Sequence, residues 1–300
     1  MILRKKLGGR NTFIRLIAAL IIGFVAILFI LPTVLTIANS FMTEKEITAN
    51  YGAMLDNMTE DKKTYISEKL NLKFIPDIVT FDQYESVLFK NSEYLLKFWN
   101  SVILVVPITV FQLVVAVFAA YGFSRSTGRI KELIFFFYII LMLMPYQVTL
   151  VPNFLVADKF GLLNTRWSVI FPGIFSPFSV FLLTKVMKRI PSSYIEAAKL
   201  DGASEWQILS NICIPLCKGP LFSVGLLVFI DYWNMVEQPL IMMEDSDMHP
   251  LSVFLSEINK GDIALAFAVA VIYMVPSLLM FLYGEDYLVE GITYSGGIKG

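Results

Sequence analysis

Six stretches of roughly 20 mainly apolar residues, almost free of charge, limit what this chain can become. They run over Ile14–Ala38, Trp99–Phe123, Leu133–Val156, Trp167–Met187, Pro220–Pro239 and Ile263–Tyr287. As a helix, each is long enough to cross a hydrocarbon layer of about 30 Å. A water-soluble chain of 300 residues would have to hide all six in one core, which is too much apolar surface for its size. Composition agrees: 56% of residues are hydrophobic and 16% charged, against about 25% charged in soluble domains. Mean hydropathy is +0.67. The expected fold class is all-α: a polytopic membrane helix bundle with six transmembrane helices. Prolines 145, 172, 177 and 276 fall inside these stretches. Neighbouring helices must satisfy the carbonyls that proline frees, so a packed bundle is expected, with a break at Pro145.

Arg4, Lys5 and Lys6 precede an apolar run, as in a signal peptide. Phe13–Ala38 exceeds an h-region of about 7–15 residues, and no small-x-small cleavage site precedes the next polar segment. It reads as a retained first span. Lys and Arg cluster before span one, between spans two and three (Arg125, Arg129, Lys131), and between four and five (Lys185, Lys188, Arg189, Lys199, Lys218). Basic short loops face the cytoplasm. The organisation expected is a cytoplasmic N-terminus at 1–13, a first transmembrane helix at 14–38 and an extracytoplasmic loop at 39–97. A five-helix transmembrane core at 98–288 and a cytoplasmic tail at 289–300 follow, in a multi-pass protein of the cell membrane. The 39–97 loop is polar, and Asp61–Leu70 has the composition of a short helix. The loop either covers the outer mouth or meets an outer partner, or it is a solvated spacer. Gly291–Gly300 is glycine-rich and reads as flexible.

Several functions are disfavoured. A net charge of −1 without a basic face gives no reason to expect nucleic acid. No GxxxxGK[ST] phosphate loop, Gly-x-Ser-x-Gly elbow or HExxH pair occurs. His249, beside Pro250, reads as a solvated loop residue. Cys213 and Cys217 read as reduced packing residues. No catalytic set and no metal set is legible, so an energy source is expected outside this chain.

The richest stretch is Arg189–Pro220, RIPSSYIEAAKLDGASEWQILSNICIPLCKGP. Pro191 should end one helix, and Ser193 with Glu196 has capping-box spacing for the next. Gly202 suits a positive φ. Ser204 with Gln207 has the same capping spacing, for a helix running towards Pro215. Two short helices joined at a glycine are thus expected on the cytoplasmic side, over 189–215. The order Glu196-Ala197-Ala198, three residues, Gly202, nine residues, Ile212, then Ile214-Pro215 resembles the EAA motif. That motif belongs to permeases of binding-protein-dependent ABC importers; Ile214 stands where leucine is usual. Asn100-Ser101, Ala120-Tyr121, Ser124-Arg125, Gly161–Thr165, Trp233-Asn234, Pro239-Leu240 and the terminal Gly297–Gly300 are similar to the carbohydrate-uptake subgroup. Met235 departs from the usual Asp after Trp-Asn.

The resemblance implies a maltose-type unit: this subunit, a second permease (a heterodimer), two ATP-binding-cassette ATPase subunits and an extracytoplasmic sugar-binding protein. ATP and Mg would be used by those ATPases, and no cofactor would be bound by this chain. It further implies that Glu196, Ala197, Ala198, Asp201, Gly202 and Ala203 belong to coupling helices seated in the ATPase, with Glu196 either paired to a basic group there or only capping its own helix. For the substrate path, Asp231, Tyr232, Trp233 and Asn234 in span five, together with Glu237, mix hydrogen-bonding groups with aromatic faces. Gln112, Tyr146 and Gln147 are weaker candidates. The other reading of these aromatics is an interfacial belt, and of the amides, helix–helix bonding. Cargo other than sugar, such as glycerol phosphate, remains open at this stage, as do a stand-alone channel and a membrane enzyme.

Overall fold

The computed structural model describes residues 9–59, 72–256 and 263–293, with side chains over 14–51, 72–256 and 263–287. Among the described residues there are helices and no strands. The chain divides into two compact units, one comprising Met1–Asn91 with Ile258–Ile272, the other Ser92–Glu257 with Tyr273–Gly300.

The first unit is built on α1 (Gly9–Asn39), α2 (Glu44–Thr59) and the short α3 (Asp82–Glu85). α1 exposes apolar side chains all round, from Ile22 at 69% to Phe29 at 80%. In water this would be untenable; in a bilayer it suits a span whose surface meets lipid or another membrane helix and whose backbone bonds are all internal. The helix ends in a polar knot. Asn39 donates to the Tyr51 hydroxyl at 2.8 Å, Ser40 and Tyr84 share a 2.7 Å bond, and Gln83 donates to the Met42 carbonyl at 2.5 Å. Met42, Ile47, Tyr51 and Ala264 form the apolar cluster beside it. The segment after Lys73 is tied down by Glu46, whose carboxylate receives Lys73 at 2.9 Å and the Asp77 N–H at 2.9 Å. α2 was not anticipated, although Thr43 and Glu46 have capping spacing and the Glu46 N–H bonds Thr43 Oγ1 at 3.3 Å. The helix expected at Asp61–Leu70 lies outside the described residues, as do Arg4, Lys5 and Lys6.

The second unit centres on α4 (Ser92–Arg125). It starts seven residues before the apolar run does, because Tyr94 and Lys97 are already buried. One face recurs every four residues: Asn100, Leu104, Ile108, Gln112, Ala116 and Ala120 are all at most 2% exposed. That spacing marks a single buried stripe, and its small residues admit close neighbours. The other helices of this unit are α5 (Arg129–Met142), α6 (Tyr146–Lys159), α7 (Trp167–Ile174), α8 (Pro177–Met187), α9 (Ser192–Leu200), α10 (Glu205–Ile208), α11 (Ile214–Leu216), α12 (Lys218–Trp233), α13 (Glu237–Met242), α14 (Leu251–Ser256) and, from Tyr273 on, α15 (Ile263–Thr293). α4 packs chiefly on α7, α8 and α12. α12 meets α15 at a glycine: a Cβ on Gly284 would lie 1.6 Å from the Phe222 ring.

Ile14–Asn39, Ser92–Arg125, Trp167–Met187 and Ile263–Tyr287 are each long and apolar enough to cross a membrane. Two bent pairs make six spans if each pair is one: α5 with α6, bent by 103°, and Glu205–Leu216 with α12, bent by 78°. The first bend falls at Leu143–Pro145, where Pro145 takes φ −59° and ψ 141° and serves as N-cap of α6. Span five differs from its expected Pro220–Pro239. α12 stops at Trp233, and Glu237 and Pro239 belong to the separate α13. At the C-terminus, α15 carries helix through Thr293, so Gly291–Thr293 are not loop. The remainder of that tail lies outside the described residues.

His249 also departs from expectation. It is 8% exposed and its Nε2 lies 2.7 Å from the Met243 carbonyl. The cause is the polar start of α4, which pulls the 246–251 turn inward. Asn100 Nδ2 donates to the Asp247 and His249 carbonyls at 2.6 and 3.2 Å. Lys97 Nζ donates to the Ser246 carbonyl at 3.2 Å, and Ser101 Oγ receives the Leu251 N–H at 2.9 Å. Arg166 holds Asn100 Oδ1 at 2.8 Å.

Candidate functional site

Two regions hold the candidate residues. The first is the helix–glycine–helix between α8 and α12. α9 begins directly after Pro191, which occupies the N-cap with φ −55° and ψ 135°. Ser193 is therefore already inside the first turn, and the expected Ser193–Glu196 capping box does not form. Leu200 ends α9, and Gly202 turns the chain at φ +80°. No atom lies within 4 Å of a Cβ built there, so backbone strain rather than crowding selects glycine. The second capping box does form. Ser204 Oγ receives the Gln207 N–H at 3.3 Å, and Gln207 Oε1 receives the Ser204 N–H at 2.8 Å. α10 then continues through a π-helical turn, Leu209–Cys213, into α11, so Pro215 sits within helix.

This segment is seated on the bundle. Ile195, Ile208, Leu209, Cys213 and Cys217 join Ala116, Val117 and Ala120 of α4, Val180, Leu183 and Met187 of α8, and Val224 and Val228 of α12 in one buried cluster. Both cysteines are buried and free. Arg125 donates to the Met187 carbonyl at 3.2 Å and to Cys213 Sγ at 3.7 Å. The Tyr121 hydroxyl donates to Glu205, which also pairs with Lys199 at 2.7 Å. Opposite the cluster the segment is open: Tyr194 is 55% and Leu200 88% exposed, while Trp206, also exposed, stacks on Phe118 of α4 at 5.9 Å. Glu196, Ala197, Asp201 and Gly202 are exposed, while Ala198 and Ala203 are partly buried. Thus one face is anchored and the other is available.

The Lys199 ammonium and, secondly, the Tyr121 hydroxyl hold the Glu205 carboxyl below the usual carboxylate range. A lowered value stabilises above the ordinary pKa of about 4 and is lost as pH falls through the folded value, so the tie is complete near neutrality. Both partners are more than half exposed, which limits its strength to about 1 kcal/mol. At pH 7, Glu205→Gln should raise the rate of trypsin cleavage at Lys199 by up to about fivefold. An unchanged rate would show that the tie does not order the segment.

The second region is polar and lies where α12 ends. Tyr146, Gln147, Asp231, Tyr232, Asn234, Glu237 and Gln238, with Ile230, Met235 and Val236, line an open hollow of about 550 Å³. A second hollow, about 370 Å³, is lined by Gln112, Ser176, Phe178, Ser179, Leu227 and Val228, and by Asp231 and Tyr232 again. The sequence thus brings Asp231, Tyr232, Asn234, Glu237, Gln112, Tyr146 and Gln147 to two adjoining spaces. Trp233 is the exception. It is 1% exposed, stacks on Phe229 and Tyr273, and donates Nε1–H to the Tyr273 carbonyl at 3.0 Å. Successive residues on a helix are turned by about 100°, which carries Trp233 away from the hollows and onto the apolar face. Asn234 is exposed but engaged: its Nδ2 bonds the Ile230 carbonyl at 2.7 Å and its Oδ1 lies 2.9 Å from the Tyr273 hydroxyl. Ser176 and Ser179 were missed, because lone serines near a span carry no pattern of their own.

Comparison with known proteins places this arrangement. Residues 112–288 match the family described as binding-protein-dependent transport system inner membrane component. The arabinooligosaccharides transport system permease protein AraQ of Halalkalibacterium halodurans is 28% identical over 283 residues, covering 93% of this chain and 94% of that one. The lactose transport system permease protein LacG of Rhizobium radiobacter is 28% identical over 207 residues, covering 68% and 75%. A chain of a crystallised bacterial ABC transporter involved in import of the acidic polysaccharide alginate shares the fold, with TM-score 0.78 at 20% identity over 95% of this chain and 99% of that one. The matched region contains α9 to α12, the anchored helix–glycine–helix and both hollows; the chain belongs to the inner membrane components of binding-protein-dependent transport systems.

Proposed function

We propose that this chain is the permease subunit of an ATP-binding-cassette importer for a sugar or oligosaccharide, and that the helix–glycine–helix at Ser192–Leu216 is its ATPase docking surface on the cytoplasmic side. The observation that carries the reading is the two-faced segment itself. Its inner face is locked into α4, α8 and α12 through Ile195, Ile208, Leu209 and Cys213. Its outer face presents Glu196 and Leu200. A lever must be rigid on one side and complementary to a partner on the other. ATP-driven closure of two partner ATPases would move this segment as a body, and the bundle would pass between outward-open and inward-open states. A second permease and an extracytoplasmic binding protein complete the unit, with ATP and Mg held by the ATPases alone.

Lys and Arg placement supports cytoplasmic termini. Sugar cargo draws support from the relatives' printed substrates, arabinooligosaccharides and lactose. Phosphorylated cargo would favour Arg or Lys near the path, and none lines either hollow. Gentle affinity purification from native membrane, followed by mass spectrometry, should recover an ATPase and a second polytopic protein with this chain. Recovery of the chain alone, across several detergents and with nucleotide added, would overturn the importer reading in favour of a channel or membrane enzyme.

A further inference from the structure

We infer that the two hollows meeting at Asp231 form a binding site for uncharged glycans, read through their hydroxyl groups, and that Asp231 and Glu237 exclude anionic saccharides. The inference rests on the importer reading above and deepens it to a substrate class. Asp231 and Tyr232 line both spaces, so the site is continuous there. The volumes, about 550 and 370 Å³, fall within the usual range for small-ligand sites.

The charge balance of the lining decides the class. Asp231 and Glu237 are the ionisable carboxylates, and no Lys, Arg or His lines either hollow. Carboxylates accept from sugar hydroxyls through charge-assisted bonds. A uronate or phosphate entering the same space would meet like charge with no compensating cation, and repulsion grows as water is displaced.

A second, independent feature points to a ligand. Gln112 is 2% exposed, in the middle of the buried stripe of α4. Its Nε2 donates to Ser179 Oγ at 2.7 Å, and its Oε1 has no partner among the described residues. Exchange of the amide's N and O would only move the vacancy from an acceptor to a donor. Gln112 lines the smaller hollow, and a sugar hydroxyl, being both donor and acceptor, satisfies either form once the side chain turns toward it. Ser176 and Ser179 extend the same chemistry, and Tyr146 and Tyr232 offer aromatic faces to the apolar side of a pyranose.

The experiment uses the transporter purified with its second permease and ATPases but without the extracytoplasmic binding protein, whose own sugar site would give transfer. Saturation-transfer NMR would be recorded with a panel of neutral malto-, arabino- and xylo-oligosaccharides, and with an oligogalacturonate of matched length. A neutral member should show transfer, Gln112→Ala should weaken its binding about tenfold, and the galacturonate should bind only to the Asp231→Asn, Glu237→Gln double variant. Thermal melting of each variant complex checks that it is folded; should Gln112→Ala melt early, Gln112→Met, which keeps the bulk but removes both amide groups, takes its place with the same expected loss. Transfer from galacturonate equal to that from neutral sugars in the unsubstituted complex, or none from any neutral sugar, would overturn the inference. If ATPases co-purify and hydrolyse ATP in that preparation, the importer reading survives such a result; if they do not, both fall.

Discussion

Replacing Glu196 with alanine is expected to abolish ATP-driven uptake while leaving the chain inserted and folded. Glu196 lies on the exposed side of α9 and makes no bond or ion pair among the described residues. It does not cap its own helix, since Pro191 holds the N-cap position without a side-chain bond. Alanine is the better helix former, so the substitution costs α9 nothing locally. The next-door Ile195, 7% exposed, keeps the helix seated. A carboxylate with no intramolecular partner, on a helix anchored through its other face, is free to pair with another molecule, as the proposed docking requires. Truncating one member of a buried interfacial ion pair costs about 2–5 kcal/mol, or about 30-fold and upward in coupling. The measurement is uptake and ATP hydrolysis in reconstituted vesicles, with the amount of inserted chain as control. Normal uptake by Glu196→Ala would eliminate the docking role. Glu196→Gln should fall between, because it keeps a hydrogen bond but removes the charge.

The spans were the easiest part of the fold to read, because hydrocarbon permits few alternatives. From Leu16 to Leu31 the sequence is apolar without a break, with Arg15 at its entry and Thr33 and Thr36 near its exit. Bends were legible only where proline announces them. Pro145 marks the 103° turn, whereas the end of α12 at Trp233 carries no proline or glycine, and span five was drawn too long. In the helix–glycine–helix segment, Gly202 and the Ser204–Gln207 box depend on local geometry alone, and both take the form their residues dictate. Ser193 obeyed a nearer constraint, Pro191, which started α9 earlier. The inward fold of His249 depends on Asn100 and Lys97, about 150 residues away in sequence. Such pairings are set by packing and leave no periodic trace in one chain.

Trp233 gives the sharpest separation between a residue that lines a path and one that builds its wall. Trp233→Ala is expected to lower the melting midpoint of the extracted complex by about 10 °C. The indole lies between Phe229, at 5.3 Å and 16°, and Tyr273, at 5.6 Å and 25°, with Phe98 edge-on at 5.8 Å. Its N–H bonds the Tyr273 carbonyl, and the Tyr273 hydroxyl lies 2.7 Å from the Trp233 carbonyl. These two residues clasp α12 to α15, and Phe98 brings in α4. Removing a fully buried tryptophan leaves a cavity and costs about 3–5 kcal/mol. Trp233→Phe keeps the stacking and loses one hydrogen bond, a cost near 1 kcal/mol, so it should melt within a few degrees of the parent and retain uptake. The opposite pattern, an alanine variant that melts normally but binds sugar poorly, would return Trp233 to the substrate path. The structure favours the first outcome because the indole has no exposed face to offer a sugar ring. Its neighbours Asp231 and Tyr232 do reach the hollows, and their position depends on the clasp that Trp233 makes.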